Sequence, residues 1–187
     1  MSPPKSQSRR SFLVSLSGLL TAELALTVPS RAQERAETQI LPTELSPEER
    51  IWVSESRMAR EILGYFSEDY SCAEAMLMVS LRRLDKPEAL VWAAAGFGGG
   101  MGRRDLCGFL TGGALGIGLA AGELHLGREE AKDRCSRAVR SYWEWWDLQA
   151  PAKCEDIRTP GTPGGVCARI GQLASAKVES LIDQMQA

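Results

Sequence analysis

The chain has 187 residues, of which 44% are hydrophobic and 25% are charged, and this balance is typical of a globular protein rather than a disordered chain. The length suits one domain with its own hydrophobic core. The formal net charge is −2, and no stretch interleaves basic and aromatic residues, so the composition argues against nucleic acid as a partner.

Residues 1–32 have the layout of a signal peptide. The basic residues Lys5, Arg9 and Arg10 precede an apolar run over residues 12–28. The sequence Ser-Arg-Arg-Ser-Phe-Leu at residues 8–13 resembles the twin-arginine signal, which is read by the machinery that exports folded proteins. We therefore expect an exported protein that works in the periplasm or elsewhere outside the cytoplasm.

Cleavage after Ala32 satisfies the small-residue rule of signal peptidases, and it leaves 18 basic and 23 acidic residues. The alternative is an uncleaved membrane anchor, for which the apolar run is marginal because it contains Glu23. Residues 33–46 are polar and predict a tether, and residues 47–187 form the predicted domain.

Every secondary-structure element that the sequence predicts in this domain is a helix. Apolar residues recur at helical spacing over residues 47–66, and Ser71 and Glu74 form a capping box that begins a second helix. Further helices are predicted over residues 85–95, from the cap at Asp105 to a helix end at residues 123–127, and over residues 128–149 and 166–181. No stretch shows the clear alternation of apolar and polar residues that is typical of a β-strand. The sequence therefore predicts an all-α, single-domain bundle of about six helices.

The stretch from residue 96 to residue 127 predicts a glycine-rich loop followed by a central buried helix. Gly108, Gly112 and Gly116 recur every four residues, which places them on one helix face. Glycine costs about 1 kcal/mol relative to alanine inside a helix. This face therefore indicates the close approach of either a neighbouring helix or a bulky cofactor.

Four of the five cysteines are predicted at or near helix starts. Cys72, Cys107 and Cys167 fall in first turns, with Asp105 as the cap before Cys107, and Cys154 lies in a short loop. Helix N-termini present free amides and positive partial charge, so they favour thiolates and suit an anionic tetrathiolate metal centre.

The fifth cysteine and the histidine are predicted to have no part in the site. Cys135 lies on the apolar stripe of the helix over residues 128–149, and we interpret it as an inert core residue. The four aromatic residues within 142–146 are expected to close the core or a homo-oligomer interface, with substrate stacking as the alternative. His125, the single histidine, is expected at a helix end, and no hydrolase motif accompanies it.

The order of these residues resembles the C-GCAxxG-C-C family, whose members are described as redox-active. The resemblance covers residues 49–181 and rests on Cys72, the Cys-Gly-Phe-Leu-Thr-Gly run over residues 107–112, Cys154 and Cys167. Phe109 replaces the alanine usual in that motif, which predicts a narrower pocket beside the second cysteine.

That family is similar to a domain of split-Soret cytochromes c, whose corresponding cysteines are thought to hold an iron–sulfur cluster. The resemblance implies Cys72, Cys107, Cys154 and Cys167 as ligands, with Gly108 and Gly112 beside the cofactor. The chain contains no CxxCH motif, so covalent haem is not implied.

The leading interpretation is an exported redox protein that holds a cluster of the [2Fe-2S] type and exchanges electrons with an unidentified redox partner protein. Folded export favours this interpretation, because a cluster is inserted in the cytoplasm. One alternative is a metal-free thiol–disulfide protein, with Cys72 or Cys107 as the attacking thiol of low pKa. The other alternative is a structural zinc-binding module.

Overall fold

A computed structural model describes residues 41–159 and 165–187, and these residues belong to one compact unit. The predicted signal peptide and residues 33–40 of the predicted tether lie outside the described residues. The all-α fold class is confirmed, since the described part contains helices and no strand.

A π-helical turn over Gly100–Arg104 lies in the predicted glycine-rich loop, and the other helices of the described residues are seven α-helices and one 3-10 helix. In chain order they are α1 (Pro47–Glu55), α2 (Arg57–Phe66), α3 (Cys72–Arg83), the 3-10 helix (Glu88–Phe97), α4 (Gly108–Gly122), α5 (Arg128–Trp146), α6 (Cys154–Ile157) and α7 (Gly165–Gln186). The number exceeds the predicted six because one predicted helix is divided and a predicted loop contains a short helix.

The division occurs at Ser56, within the stretch that was predicted as one helix. The Ser56 backbone is extended, and its hydroxyl accepts a hydrogen bond from the amide of Ala59 at 3.0 Å, which caps α2. The same hydroxyl donates to the carboxylate of Glu179 on α7 at 2.5 Å. A contact with a helix more than 120 residues later in the chain thus fixes where α1 ends.

The central helix α4 packs its glycine face against α3. A β-carbon at Gly112 would come within 2.6 Å of the Ala73 carbonyl oxygen, and one at Gly116 would overlap the hydroxyl of Ser80. Close helix packing therefore explains these two glycines. No helix of the described residues is long and apolar enough to cross a membrane, and α4 is largely buried as predicted.

The aromatic cluster of α5 is largely a packing element. Tyr142 and Trp146 are fully buried, and the Tyr142 hydroxyl donates to the carbonyl of Phe109 at 3.0 Å, which attaches α5 to the start of α4. The ring of Tyr142 stacks on that of Trp145 at a centroid distance of 6.0 Å. Core packing is therefore confirmed for this cluster, while its use as an oligomer interface stays a prediction.

Candidate four-cysteine site

Cys72 is the first residue of α3, and a complete capping box determines its position. The Ser71 hydroxyl accepts from the amide of Glu74 at 3.4 Å, and the Glu74 carboxylate accepts from the amide of Ser71 at 2.9 Å. The capping box predicted from sequence is thus present, and it starts the helix at the cysteine itself.

Cys107 is the N-cap of α4, two positions before the place that a cap at Asp105 predicts, and the side chain of Asp105 does not cap this helix. The Asp105 carbonyl instead accepts from the amide of Cys154 at 2.7 Å, while the amide of Cys107 donates to the Ala152 carbonyl at 2.8 Å. These bonds pair the two segments in a short antiparallel bridge. The bridge holds the second and third cysteines beside each other through their backbones.

Cys154 begins α6, a four-residue helix in a segment that was predicted to be a loop. Two acidic residues, Glu155 and Asp156, follow it in the first turn, and acidic residues are typical of helix starts. The prolines and glycines on either side of this segment favoured the prediction of a loop. Cys167 lies in the first turn of α7, as predicted.

All four cysteines line one cavity of about 440 Å³. Apolar and aromatic side chains supply much of the remaining wall, and the glycine loop and a single arginine contribute at its edges. The other lining residues are Phe66, Tyr70, Ser71, Gly99, Phe109, Ile157, Arg158, Val166 and Ile170. The structure therefore brings together the four cysteines that the sequence singled out.

Cys135 and His125 lie away from this cavity. Cys135 on α5 packs against the main core, as predicted. It is half-buried there rather than fully buried. His125 is exposed in the turn after α4, where its backbone adopts a left-handed conformation.

The two glycines predicted beside the cofactor have different neighbours. A β-carbon at Gly108 would overlap the sulfur of Cys72 and come within 2.9 Å of the Ala73 amide nitrogen. Gly112 faces the backbone of Ala73 and does not line the cavity. Gly108 therefore makes room for a site sulfur, whereas Gly112 makes room for a helix.

Phe109 lines the cavity and turns its ring toward α7. Its ring lies against Gly171, where a β-carbon would come within 2.7 Å of the ring edge, and packs edge-on to Phe66 at 5.5 Å. The expectation that this residue narrows the pocket agrees with its place in the wall.

The four cysteines line the cavity without forming a preformed metal site. In residues 41–159 and 165–187 no three histidine, cysteine, aspartate or glutamate side chains are grouped so that they could hold a metal ion. All five cysteines are free thiols. The sulfurs would thus have to turn inward to share one bound group.

A family model described as "Putative redox-active protein (C_GCAxxG_C_C)" matches residues 70–181, a range that includes all four cavity cysteines. The chain belongs to this family. Searches of curated proteins and of solved structures gave no match. The likeness to split-Soret cytochromes c stays a prediction.

Three of the four cavity cysteines, Cys107, Cys154 and Cys167, have thiol pKa values that burial raises. Burial raises the pKa of Cys107 strongly and Cys72 raises it further, although hydrogen bonds from the amides of Phe109 and Leu110 oppose the shift. The expectation that the helix N-terminus gives Cys107 a low pKa is therefore wrong, because desolvation outweighs the amides.

The pKa values of buried Cys154 and half-buried Cys167 are also raised by burial, and a nearby cation opposes the shift. Burial is the largest cause that raises the pKa of Cys154 and of Cys167, and the positive charge of Arg158 opposes it at both. Cys72 raises the pKa of both thiols through charge repulsion, as it does that of Cys107. Cys72 is therefore close enough to all three other sulfurs to interact with them.

Proposed function

We propose that this redox-active protein is exported and transfers electrons through an iron–sulfur cluster of the [2Fe-2S] type. Cys72, Cys107, Cys154 and Cys167 are its ligands, and a separate redox partner protein exchanges electrons with it. The observation that carries this proposal is the single cavity, which contains four of the five cysteines and excludes the fifth.

The donor set fits such a group. Four thiols are the ligands that iron–sulfur clusters take in most proteins. A cluster separates its ligands around a core of several atoms, so a lined cavity suits it better than it suits one tetrahedral zinc ion, whose sulfurs converge at about 2.3 Å from the metal. The cluster supplies one-electron chemistry at this place.

The helices supply the electrostatic support for an anionic group. The three longer helices that carry ligands, α3, α4 and α7, begin at or near a cavity cysteine, so their free amides and positive ends lie at the site. The same burial that raises the thiol pKa values excludes water from the bound group. Binding must displace thiol protons, and the energy of the iron–sulfur bonds provides for this.

The decisive experiment is metal and sulfide analysis of protein purified without oxygen after synthesis in cells that assemble clusters. We expect iron and acid-labile sulfide in equal amounts, about two of each per chain, and visible absorption that bleaches on reduction with dithionite. Zinc in place of iron would favour a structural module and would contradict the proposal.

A second candidate function is thiol–disulfide exchange, which the position of Cys72 near three other sulfurs favours. In this case the four cavity cysteines form two disulfides outside the cytoplasm by exchange with disulfides of a partner protein. Each pair of thiols gives up two electrons and two protons, and the partner disulfide that accepts them becomes two thiols. Protein that lacks iron and sulfide after anaerobic reconstitution, and that shows two disulfides by mass spectrometry, would establish this candidate in place of the cluster.

A further inference from the structure

Arg158 has a unique position among the described residues that line the cavity, because it is the one with a permanent charge. It follows α6 directly, and its amide donates to the carbonyl of Cys154 at 2.8 Å. Its side chain is exposed and forms no salt bridge with any of the residues 41–159 and 165–187. Arg158 therefore lines the cavity from an exposed position, and no carboxylate of the described residues lies within salt-bridge distance of its guanidinium.

We propose that Arg158 is the residue that raises the reduction potential of the four-cysteine site. The inference rests on the proposed function, since it concerns the electron that a bound cluster accepts. Reduction by one electron adds a negative charge to the cluster and its four thiolates without making or breaking a covalent bond. A cation at the edge of the cavity stabilises that extra charge and so favours the reduced state.

Two other basic residues near the site are less suited to this role. Arg104 lies outside the cavity wall, and its charge acts on Cys154 but not on both Cys154 and Cys167 as that of Arg158 does. Lys153 is paired with Glu155 at 3.3 Å, so its charge is largely compensated. The effect of the positive charge on the reduction potential of the site should therefore be greatest for Arg158, smaller for Arg104 and smallest for Lys153.

The test is an anaerobic potentiometric titration of the full chain with dithionite as reductant, followed by visible absorption. Arg158→Gln removes the charge, Arg158→Lys retains it, and Arg104→Gln removes a more distant charge. Arg140→Gln is the matched control, because Arg140 is an exposed arginine of α5 that does not line the cavity. Each protein is titrated at low and at high salt.

We expect Arg158→Gln to have a more negative potential than the wild type, with a smaller negative shift for Arg104→Gln and none for Arg140→Gln. Arg158→Lys should stay close to the wild type. The shift should shrink at high salt, because the guanidinium is exposed and its field is screened. A purely structural role for Arg158 would not produce this dependence on charge and salt.

The failure of the inference can be told from that of the proposed function. If the proteins contain iron and sulfide but Arg158→Gln has the wild-type potential, or if Arg140→Gln shifts as much, the inference is overturned and the cluster remains. If the wild type contains no iron or sulfide, both are overturned.

Discussion

The sulfur of Cys72 occupies the space that a β-carbon at Gly108 would take, so the first cavity cysteine and the helix that begins at the second are in contact across the α3–α4 interface. We predict that Gly108→Ala lowers the free energy of unfolding by about 1–3 kcal/mol, because the new methyl group must displace the sulfur or the Ala73 backbone. Urea unfolding measures this loss, and iron analysis should show reduced cluster content.

Gly118→Ala is the control for that substitution. Gly118 lies in the same helix and is exposed, and a β-carbon there would meet no atom within 4 Å. Alanine should therefore stabilise the protein by up to about 1 kcal/mol through helix propensity alone. Equal effects of the two substitutions would mean that the contact between Cys72 and Gly108 has no energetic importance.

The five cysteines should separate into two groups when each is replaced with alanine. If the proposed cluster is present, loss of any of the four cavity cysteines should abolish most of its iron, because each substitution removes one of the four proposed ligands. Cys135→Ala should keep the iron and cost about 1 kcal/mol or less, since it deletes one half-buried group. Iron loss in Cys135→Ala, with full retention in one of the others, would contradict the ligand assignment.

Ser56 should be unusually important for a serine between two helices. We predict that Ser56→Ala lowers the free energy of unfolding by about 1–3 kcal/mol, because it removes the cap of α2 and leaves Glu179 without its hydroxyl partner. Ser54→Ala is the control, since the exposed Ser54 hydroxyl bonds only to the carbonyl of Ile51 three residues earlier. Thermal or urea unfolding of the two variants should show a clear difference.

The stability of the reduced, metal-free protein should fall as the pH rises above about 8.5, where thiols of the unfolded chain ionise. The folded protein keeps Cys107, Cys154 and Cys167 protonated because burial raises each pKa. The folded state then binds more protons than the unfolded state, so the free energy of unfolding decreases with pH. Below that pH these thiols are neutral in both states and should cause no slope.

Urea unfolding between pH 7 and pH 10 measures this slope. Cys107→Ala should decline less steeply than the wild type, since it removes the thiol whose pKa is raised most strongly by burial and Cys72. A wild-type stability that stays constant across the range would show that the buried thiols are solvated more than the structure indicates.

Replacement of Arg9 and Arg10 by lysine should leave the folded precursor in the cytoplasm. The twin-arginine receptor requires the guanidinium pair, and lysine keeps the charge but not the planar geometry. Cell fractionation and immunoblotting measure the distribution. Normal export of the double variant would mean that residues 8–13 are not the signal that we infer from the sequence.

Local signals allowed much of this fold to be predicted. The capping box at Ser71 and Glu74 fixed the start of α3, and the glycine spacing along α4 correctly indicated a close approach. These features depend on residues three or four apart, and such short-range patterns are visible in sequence. The four cavity cysteines were also identified, because their places near helix starts formed a pattern that Cys135 did not share.

The features that were missed depend on residues far apart in the chain. The break at Ser56 is stabilised by Glu179, and the backbone bridge that positions Cys107 joins residues 105–107 to residues 152–154. The neutral state of Cys107 was missed for a related reason. The helix terminus that favours its thiolate is visible locally, but the burial that opposes it comes from the assembled tertiary structure.

The wide separation of the cavity cysteines along the chain also determines when a cluster can be loaded. Cys72 begins the third helix and Cys167 lies in the first turn of the last, so a fragment must span residues 72–167 to contain all four cavity cysteines. Insertion of the proposed cluster would therefore follow synthesis and docking of the first turn of α7. Once bound, the proposed cluster would connect α3, α4, α6 and α7, so it would oppose unfolding of the bundle rather than the opening of one loop.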